Sequence, residues 1–280
     1  SCGAALALTF LGQPADALEH LDTAEQTATA LRSRRLALDA AARRCICEHQ
    51  LGRWGDARRT IERGRRLAEG ITAISVTACF DAVDAWFDID AGHPGAAIAA
   101  MDAAIARYVF AGELQFVPLF VDARARAMIA TGAPADAADD LRALRTHPGV
   151  EWASIYRNWL DHTLATALLA ADDRAGARDV AERLVADAAE LGNRLDAARG
   201  ELLLARLDEL AGEVRRGEAR TADALDTLWR LGALPAVLDA LEASSRWDEA
   251  GGREERARAT ARGIDLARAE LIAGDVPEIA

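Results

Sequence analysis

The side chains best suited to binding chemistry in this sequence are tryptophans, arginines and a few polar groups that recur forty residues apart. An indole ring can stack on a flat or cationic group, and a guanidinium group can form paired hydrogen bonds with a carboxylate or phosphate. Together they could bind an acidic peptide, a sugar or a phosphorylated ligand. The set is Trp86, Asp122, Arg126, Trp159, His162, Arg199 and Arg206.

No motif indicates catalysis. The sequence contains no P-loop, no dinucleotide-binding glycine pattern, no HExxH or GxSxG motif and no Cys–His cluster with metal-ligand spacing. The cysteines at positions 2, 45, 47 and 79 are predicted to be small buried thiols in a reducing cytoplasm. We therefore expect a non-enzymatic protein that uses no cofactor and no metal ion.

Composition excludes several other classes. The formal net charge is −12, and every basic residue is an arginine, since the chain contains no lysine. An acidic surface repels the phosphate backbone, so direct contact with nucleic acid is not expected. No apolar run is long enough to span a membrane, and no signal-peptide pattern opens the chain. These features, with the bias toward Ala, Gly, Asp and Arg, predict a cytoplasmic protein from a GC-rich bacterial genome.

A repeated motif determines how these residues are positioned. It reads LGQPADA at 11–17, LGRWGDA at 51–57, AGHPGAA at 91–97 and TGAPADA at 131–137, with weaker copies from 171, 211 and 250. A fixed period of this length indicates a repeat architecture, and alanine-rich segments without alternating strand patterns indicate helices. We predict an all-α chain of about seven antiparallel helix hairpins in one domain, 1–280, with a less regular capping part at 234–280.

Each motif is predicted to form the turn inside a hairpin. The second hairpin pairs 35–51 with 56–68. In the third hairpin, the first helix covers 73–91 and the second ends near 109. In the fourth hairpin, the first helix covers 114–131 and the second ends near 145. The fifth, sixth and seventh pair 151–171 with 174–190, 194–211 with 215–230, and 234–247 with 253–272.

The repeats share packing positions. One is small in every copy, and two others lie five and nine residues after the turn glycine. The small position is Ala5, Cys45, Ala85, Ala125, Ala165 and Ala205. The second is Ala17, Ala57, Ala97, Ala137 and Ala177, and the third is Leu21, Ile61, Met101, Leu141 and Ala181.

This arrangement resembles the tetratricopeptide repeat. Cys45 and Ala85 match its small position on the first helix, Leu51-Gly52 the end of that helix, and Ala57 its second-helix alanine. The forty-residue period and the glycines that end the second helices are most similar to the repeat region of large bacterial transcriptional regulators, such as the maltose-regulon activator and related LuxR-type proteins. The resemblance implies a right-handed solenoid whose first helices line a concave groove.

The groove-facing positions that the resemblance implies are those of the seven residues named above, from Trp86 to Arg206. A protein, peptide or small-molecule effector is the expected partner. The alternative is that Trp86 and Trp159 only fill gaps between alanine-rich helices and that the arginines pair with nearby aspartates. The aromatic series Trp152, Tyr156 and Trp159 is more typical of a core.

The leading hypothesis is a ligand- or protein-binding sensor domain of a bacterial regulator. The alternatives are a pure assembly scaffold, including a homo-oligomerisation module, and either an enzyme with an unrecognised site or the regulatory arm of a neighbouring enzyme domain. Because the chain opens with Ser1 and a segment predicted to be mid-helix, we expect a fragment of a larger multidomain protein.

Overall fold

The computed structural model describes residues 1–71, 74–147, 155–250 and 254–275. These residues form fourteen α-helices and no strand, which confirms the all-α prediction. In chain order the helices are Cys2–Phe10 (α1), Pro14–Ala30 (α2), Arg34–Gln50 (α3), Trp54–Ala68 (α4), Ala78–Asp90 (α5), Pro94–Phe110 (α6), Val117–Ala130 (α7), Pro134–Thr146 (α8), Arg157–Ala170 (α9), Arg174–Glu190 (α10), Arg194–Leu210 (α11), Val214–Arg230 (α12), Leu234–Ala250 (α13) and Glu254–Asp275 (α14).

Most predicted helix boundaries lie within two residues of those in the structure. The exceptions are the starts of α5, α7 and α9 and the ends of α13 and α14, which extend three residues beyond the predicted 247 and 272. The segment predicted to begin at 114 opens with a 3₁₀ turn, Leu114–Phe116, and α7 begins only at Val117. Pro118 lies in the first turn of α7, where its missing N–H is tolerated. A similar 3₁₀ turn, Ile74–Thr77, precedes α5. Most of the first turn predicted for α9, 151–154, lies outside the described residues.

The repeated motif forms the turn between the two helices of each pair. At the end of α3, Gly52 has a φ of +73°, and the N–H of Arg53 donates to the Glu48 carbonyl oxygen at 2.8 Å. This satisfies a carbonyl group that the helix end would otherwise leave unpaired. In the weaker fifth copy Asp172 stands in place of glycine and adopts the same left-handed conformation, with a φ of +62°. The turn geometry therefore persists where the motif is degraded.

Successive helices pack against each other, and the odd-numbered helices from α1 to α11 also contact the next odd-numbered helix. The small position of the repeat is at most 1 % exposed in every copy from Ala5 to Ala205. The two positions of the second helix are also buried, from Ala17 to Ala177 and from Leu21 to Ala181. These packing predictions are confirmed. Because the interior is close-packed, alanine at the small position allows helix axes to approach more closely than a larger side chain would.

The chain also bends back on itself, so that early and late helices touch. The side-chain N–H of Asn193 donates to the carbonyl oxygen of Phe10 at 2.9 Å, and Asn193 is 1 % exposed. The Phe10 ring packs on Tyr156 and Trp159, each with its ring centre 5.2 Å away. In addition, α13 contacts α3 and α14 contacts α4. These contacts bring the inner faces of the odd-numbered helices around one space.

The cysteines behave as apolar core residues. All four are buried with free thiols. Burial raises the pKa of the Cys45 and Cys79 thiols, so both are protonated at neutral pH.

None of the described helices combines the length and the apolar character that crossing a membrane requires.

The contact between the first turn and α11 can be tested with one glycine. A Cβ added at Gly12 would collide with the amide oxygen of Asn193 and lie 2.6 Å from the Leu195 Cβ, whereas a Cβ at Gly92 would meet nothing within 4 Å. Both glycines have positive φ, so Gly92→Ala is the matched control for backbone strain. We expect Gly12→Ala to lower the free energy of unfolding by about 1–3 kcal/mol more than Gly92→Ala does, measured by urea denaturation. Equal losses would contradict the contact.

Candidate functional site

The space enclosed by the odd-numbered helices is a cavity of about 550 Å³, lined by residues of α3, α5, α7, α9, α11 and α13 and by Trp54. It adjoins a second space of about 380 Å³, and the two share Arg126, His162, Arg199 and Asp239 as wall residues. We refer to both together as the central cavity. One row of its wall advances by forty residues at each step, through His49, Ile89, Ile129, Leu169 and Glu209. The repeat period is therefore visible in the wall itself.

Six of the seven residues selected from the sequence line the central cavity. They are Trp86, Arg126, Trp159, His162, Arg199 and Arg206. The seventh, Asp122, lies behind the wall and is 1 % exposed. Its carboxylate accepts a hydrogen bond from the Thr163 hydroxyl at 2.6 Å and pairs with the Arg126 Nε at 2.8 Å. This geometry gives Asp122 the role of holding Arg126 in place rather than of reaching a ligand.

The two tryptophans belong both to the core and to the wall. Trp86 and Trp159 are 5 % and 4 % exposed, and their rings meet edge to face at 6.1 Å. Tyr156 contacts the Trp159 ring at 6.2 Å, while Trp152, the remaining member of the aromatic series, lies outside the described residues. The gap-filling role considered above is thus real, and the same rings give the cavity a rigid apolar surface.

The arginines are anchored by carboxylates on their own helices. Arg199 pairs with the buried Asp196 at 3.4 Å, and Arg206 lies 3.7 Å from Glu209. Arg126, anchored by Asp122, also lies over the Trp86 ring, 5.8 Å from its centre. Since side-chain entropy is already restricted by these anchors, little would be lost when the remaining N–H groups bind a ligand.

Burial and positive neighbours control the protonation of this part of the wall. The pKa of Arg199 is lowered by burial, an effect that Asp196 opposes and Arg126 reinforces. The pKa of His162 is held well below its usual range by burial and then by Arg199 and Arg126. His162 is therefore neutral at pH 7 and can both donate and accept a hydrogen bond.

Sequence reasoning missed the acidic side of the cavity. Asp239 and Glu242 enter from α13. Asp239 continues the forty-residue series of Trp159 and Arg199, and Glu242 continues that of Asp122, His162 and Leu202, so one more step of each series would have found them. Glu242 pairs with Arg268 at 2.7 Å. Gln50 and Asp90, also forty residues apart, line the cavity at positions outside the predicted set.

Asp239 is reached by solvent, although protein surrounds it on several sides. Partial removal of water by the surrounding protein raises the pKa of Asp239 to about 6, and the negative charge of Asp90 adds to the increase. Arg199 and Arg126 oppose the increase. Asp239 therefore changes its charge close to neutral pH.

A smaller cavity of about 290 Å³ lies between α1, α3 and α7. It contains Ile46, forty residues before Trp86, and Leu119, forty residues before Trp159. Its wall is mainly apolar, although Arg35, Asp39 and Arg43 also line it. The two tryptophans thus line the central cavity, whereas the residues one period earlier are aliphatic.

The central cavity can bind a small ligand through an apolar wall and polar groups of both charges. Within the described ranges, no three His, Cys, Asp or Glu side chains cluster so as to hold a metal ion.

The raised pKa of Asp239 predicts a specific pH dependence of stability. A carboxyl group with a folded pKa near 6 and an ordinary value of 3.8 stabilises the fold at low pH, and this contribution is lost as pH rises from about 4 to about 7. Over that range, the melting temperature of the wild type should fall relative to that of Asp239→Asn. Thermal unfolding followed by circular dichroism measures the difference. Asp179→Asn, on the exposed face of α10, serves as the control, and parallel curves for wild type and Asp239→Asn would contradict the prediction.

Comparison with known proteins assigns no family to this chain, since no protein-family model and no curated protein matches it.

Proposed function

We propose that this chain is a non-enzymatic sensor domain of a bacterial regulator, folded as a right-handed tetratricopeptide-like solenoid, and that it binds its effector in the central cavity. The observation that carries the proposal is the central cavity itself. It has a size typical of small-molecule sites, and six helices of the repeat contribute to its main part. Trp86, Trp159, Arg126 and Arg199 supply its rigid apolar surface and its anchored cations.

The position of the cavity suggests how binding would be transmitted. A ligand in contact with α3, α7 and α13 at once would link early and late repeats that are distant in sequence. Because each repeat contacts mainly its neighbours, small changes in the angle between repeats add up along an array. A ligand that prefers one curvature would therefore shift the population toward that curvature. Flanking domains of a larger protein would read the change.

The scaffold alternative is supported by apolar side chains at the ends of even-numbered helices. Phe110 is 95 % exposed at the end of α6, and Leu31 and Leu191 are 69 % and 57 % exposed after α2 and α10. Single exposed apolar residues are common on soluble proteins. The cavity is the more specific feature, and light scattering over a concentration series would reveal self-association through these residues.

The proposal is tested by binding to a chemically broad panel of amino acids, sugars, carboxylates, nucleotides and short peptides. We expect at least one class to raise the melting temperature of the wild type. The triple variant Trp86→Phe, Arg126→Gln and Arg199→Gln should weaken that binding by about tenfold or more, because charge-assisted hydrogen bonds are lost. Isothermal titration calorimetry measures the affinity.

The matched control replaces two exposed residues of α12, Trp229→Phe and Arg215→Gln, and should bind as the wild type does. Equal affinity of the triple variant and the wild type, with both folded by circular dichroism, would exclude the cavity as the binding site.

A further inference from the structure

The polar groups of the central cavity fall into two sets with opposite chemistry. Hydrogen-bond acceptors come from α3, α5 and α13, namely Gln50, Asp90 and Asp239. Donors come from α5, α7 and α11, namely Trp86, Arg126 and Arg199. A ligand with a single charge would satisfy only one of these sets.

Like charges are neighbours within each set. Among the charges around Asp239, that of Asp90 contributes most to the increase in its pKa. Arg126 likewise disfavours the charge on Arg199. A cation beside the two carboxylates and an anion beside the two guanidinium groups would each relieve a repulsion, and this gain adds to their direct attraction.

Each set also contains a buried polar atom that has no hydrogen-bond partner within the described part of the chain. The indole N–H of Trp86 has no acceptor, and the side-chain oxygen of Gln50 has no donor. These residues are 5 % and 8 % exposed, and both line the cavity. Buried polar groups are normally hydrogen-bonded, so an unused donor and an unused acceptor in one wall point to a ligand that supplies both partners.

The two sets lie close together. The Arg126 guanidinium group lies 5.8 Å from the centre of the Trp86 ring, and that ring lies 5.2 Å from the His49 ring. The Nε2 atom of His49 is in turn 3.2 Å from a carboxylate oxygen of Asp90, which leaves the other oxygen for a ligand. A ligand that serves both sets must therefore carry its cation and its anion a short distance apart. An α-amino acid has this property, because a single carbon separates its ammonium and carboxylate groups.

We propose that the central cavity binds a free amino acid with an apolar or aromatic side chain. Its ammonium group donates to Asp90, Asp239 and Gln50. Its carboxylate accepts from Arg126, Arg199 and the indole N–H of Trp86, and its side chain packs on the Trp159 and Trp86 rings. This assignment rests on the proposed function, since it names the ligand class of the same cavity.

Calorimetric titration of the chain with each of the free L-amino acids tests the assignment. At least one is expected to bind. The N-acetyl form of that amino acid lacks the cation and its amide form lacks the anion, so each should bind about tenfold or more weakly. This comparison changes only the ligand and does not depend on any variant folding.

Two single variants test the two ends of the site. Asp239→Asn should weaken binding of the free amino acid but have much less effect on binding of its N-acetyl form. Arg126→Gln should weaken binding of the free amino acid but have much less effect on binding of its amide form. Asp179→Asn and Arg215→Gln, both exposed, should change nothing.

The outcomes separate this assignment from the proposed function. If no free amino acid binds, or if the N-acetyl form binds equally well, the zwitterion assignment is wrong. The proposed function survives that result if another member of the broad panel binds and the triple variant weakens it. The proposed function fails if no member of the panel binds, or if every member that binds has the same affinity for the triple variant as for the wild type.

The affinity should also depend on pH, because the ammonium group needs an ionised Asp239. Between about pH 5 and pH 7.5 the affinity is expected to increase by several-fold and then level off, and Asp239→Asn should abolish this dependence. Affinities that are equal at both pH values would contradict the role of Asp239. The other titratable or charged groups that line this part of the cavity are His49, Asp90, Arg126, His162, Arg199 and Glu242.

Discussion

Close contact between successive odd-numbered helices is the constraint on which the rest of the structure depends. Each odd-numbered helix from α1 to α11 has an alanine or cysteine at the small position, and α13 has Ser245 there; all seven residues are buried. A glycine or aspartate in left-handed conformation ends most of these helices and reverses the chain after the same number of residues. These two features keep the inner helices in register, so residues forty apart become neighbours across the helix contacts.

The register converts a property of the sequence into a property of the site. Trp86 and Arg126 are one period apart, and the guanidinium group lies over the indole ring. Trp159, Arg199 and Asp239 are successive members of another series and share the cavity wall. Because each series runs across several helices, equivalent positions change from Ile46 and Leu119 in the smaller cavity to Trp86 and Trp159 in the central cavity.

The same residues serve stability and binding. Asp122 and Asp196 are buried carboxylates that pair with Arg126 and Arg199, and removing either arginine would leave a buried charge with fewer partners. The tryptophans fill space between alanine-rich helices and also form the wall. Because packing and ion pairs already restrict these side chains, less side-chain entropy is lost when a ligand binds.

The helices, their turns and the buried positions could be predicted from the sequence, because they depend on local periodicity and on glycine geometry. Six wall residues could be predicted as well, because the resemblance to tetratricopeptide repeats implies which positions face the groove. The contacts of α1 with α11 through Asn193 and of α13 with α3 appear only in the folded chain, and they enclose the cavity and add Asp239 to its wall. Curvature is the sum of small rotations between many helix pairs, and no local pattern in the sequence records that sum.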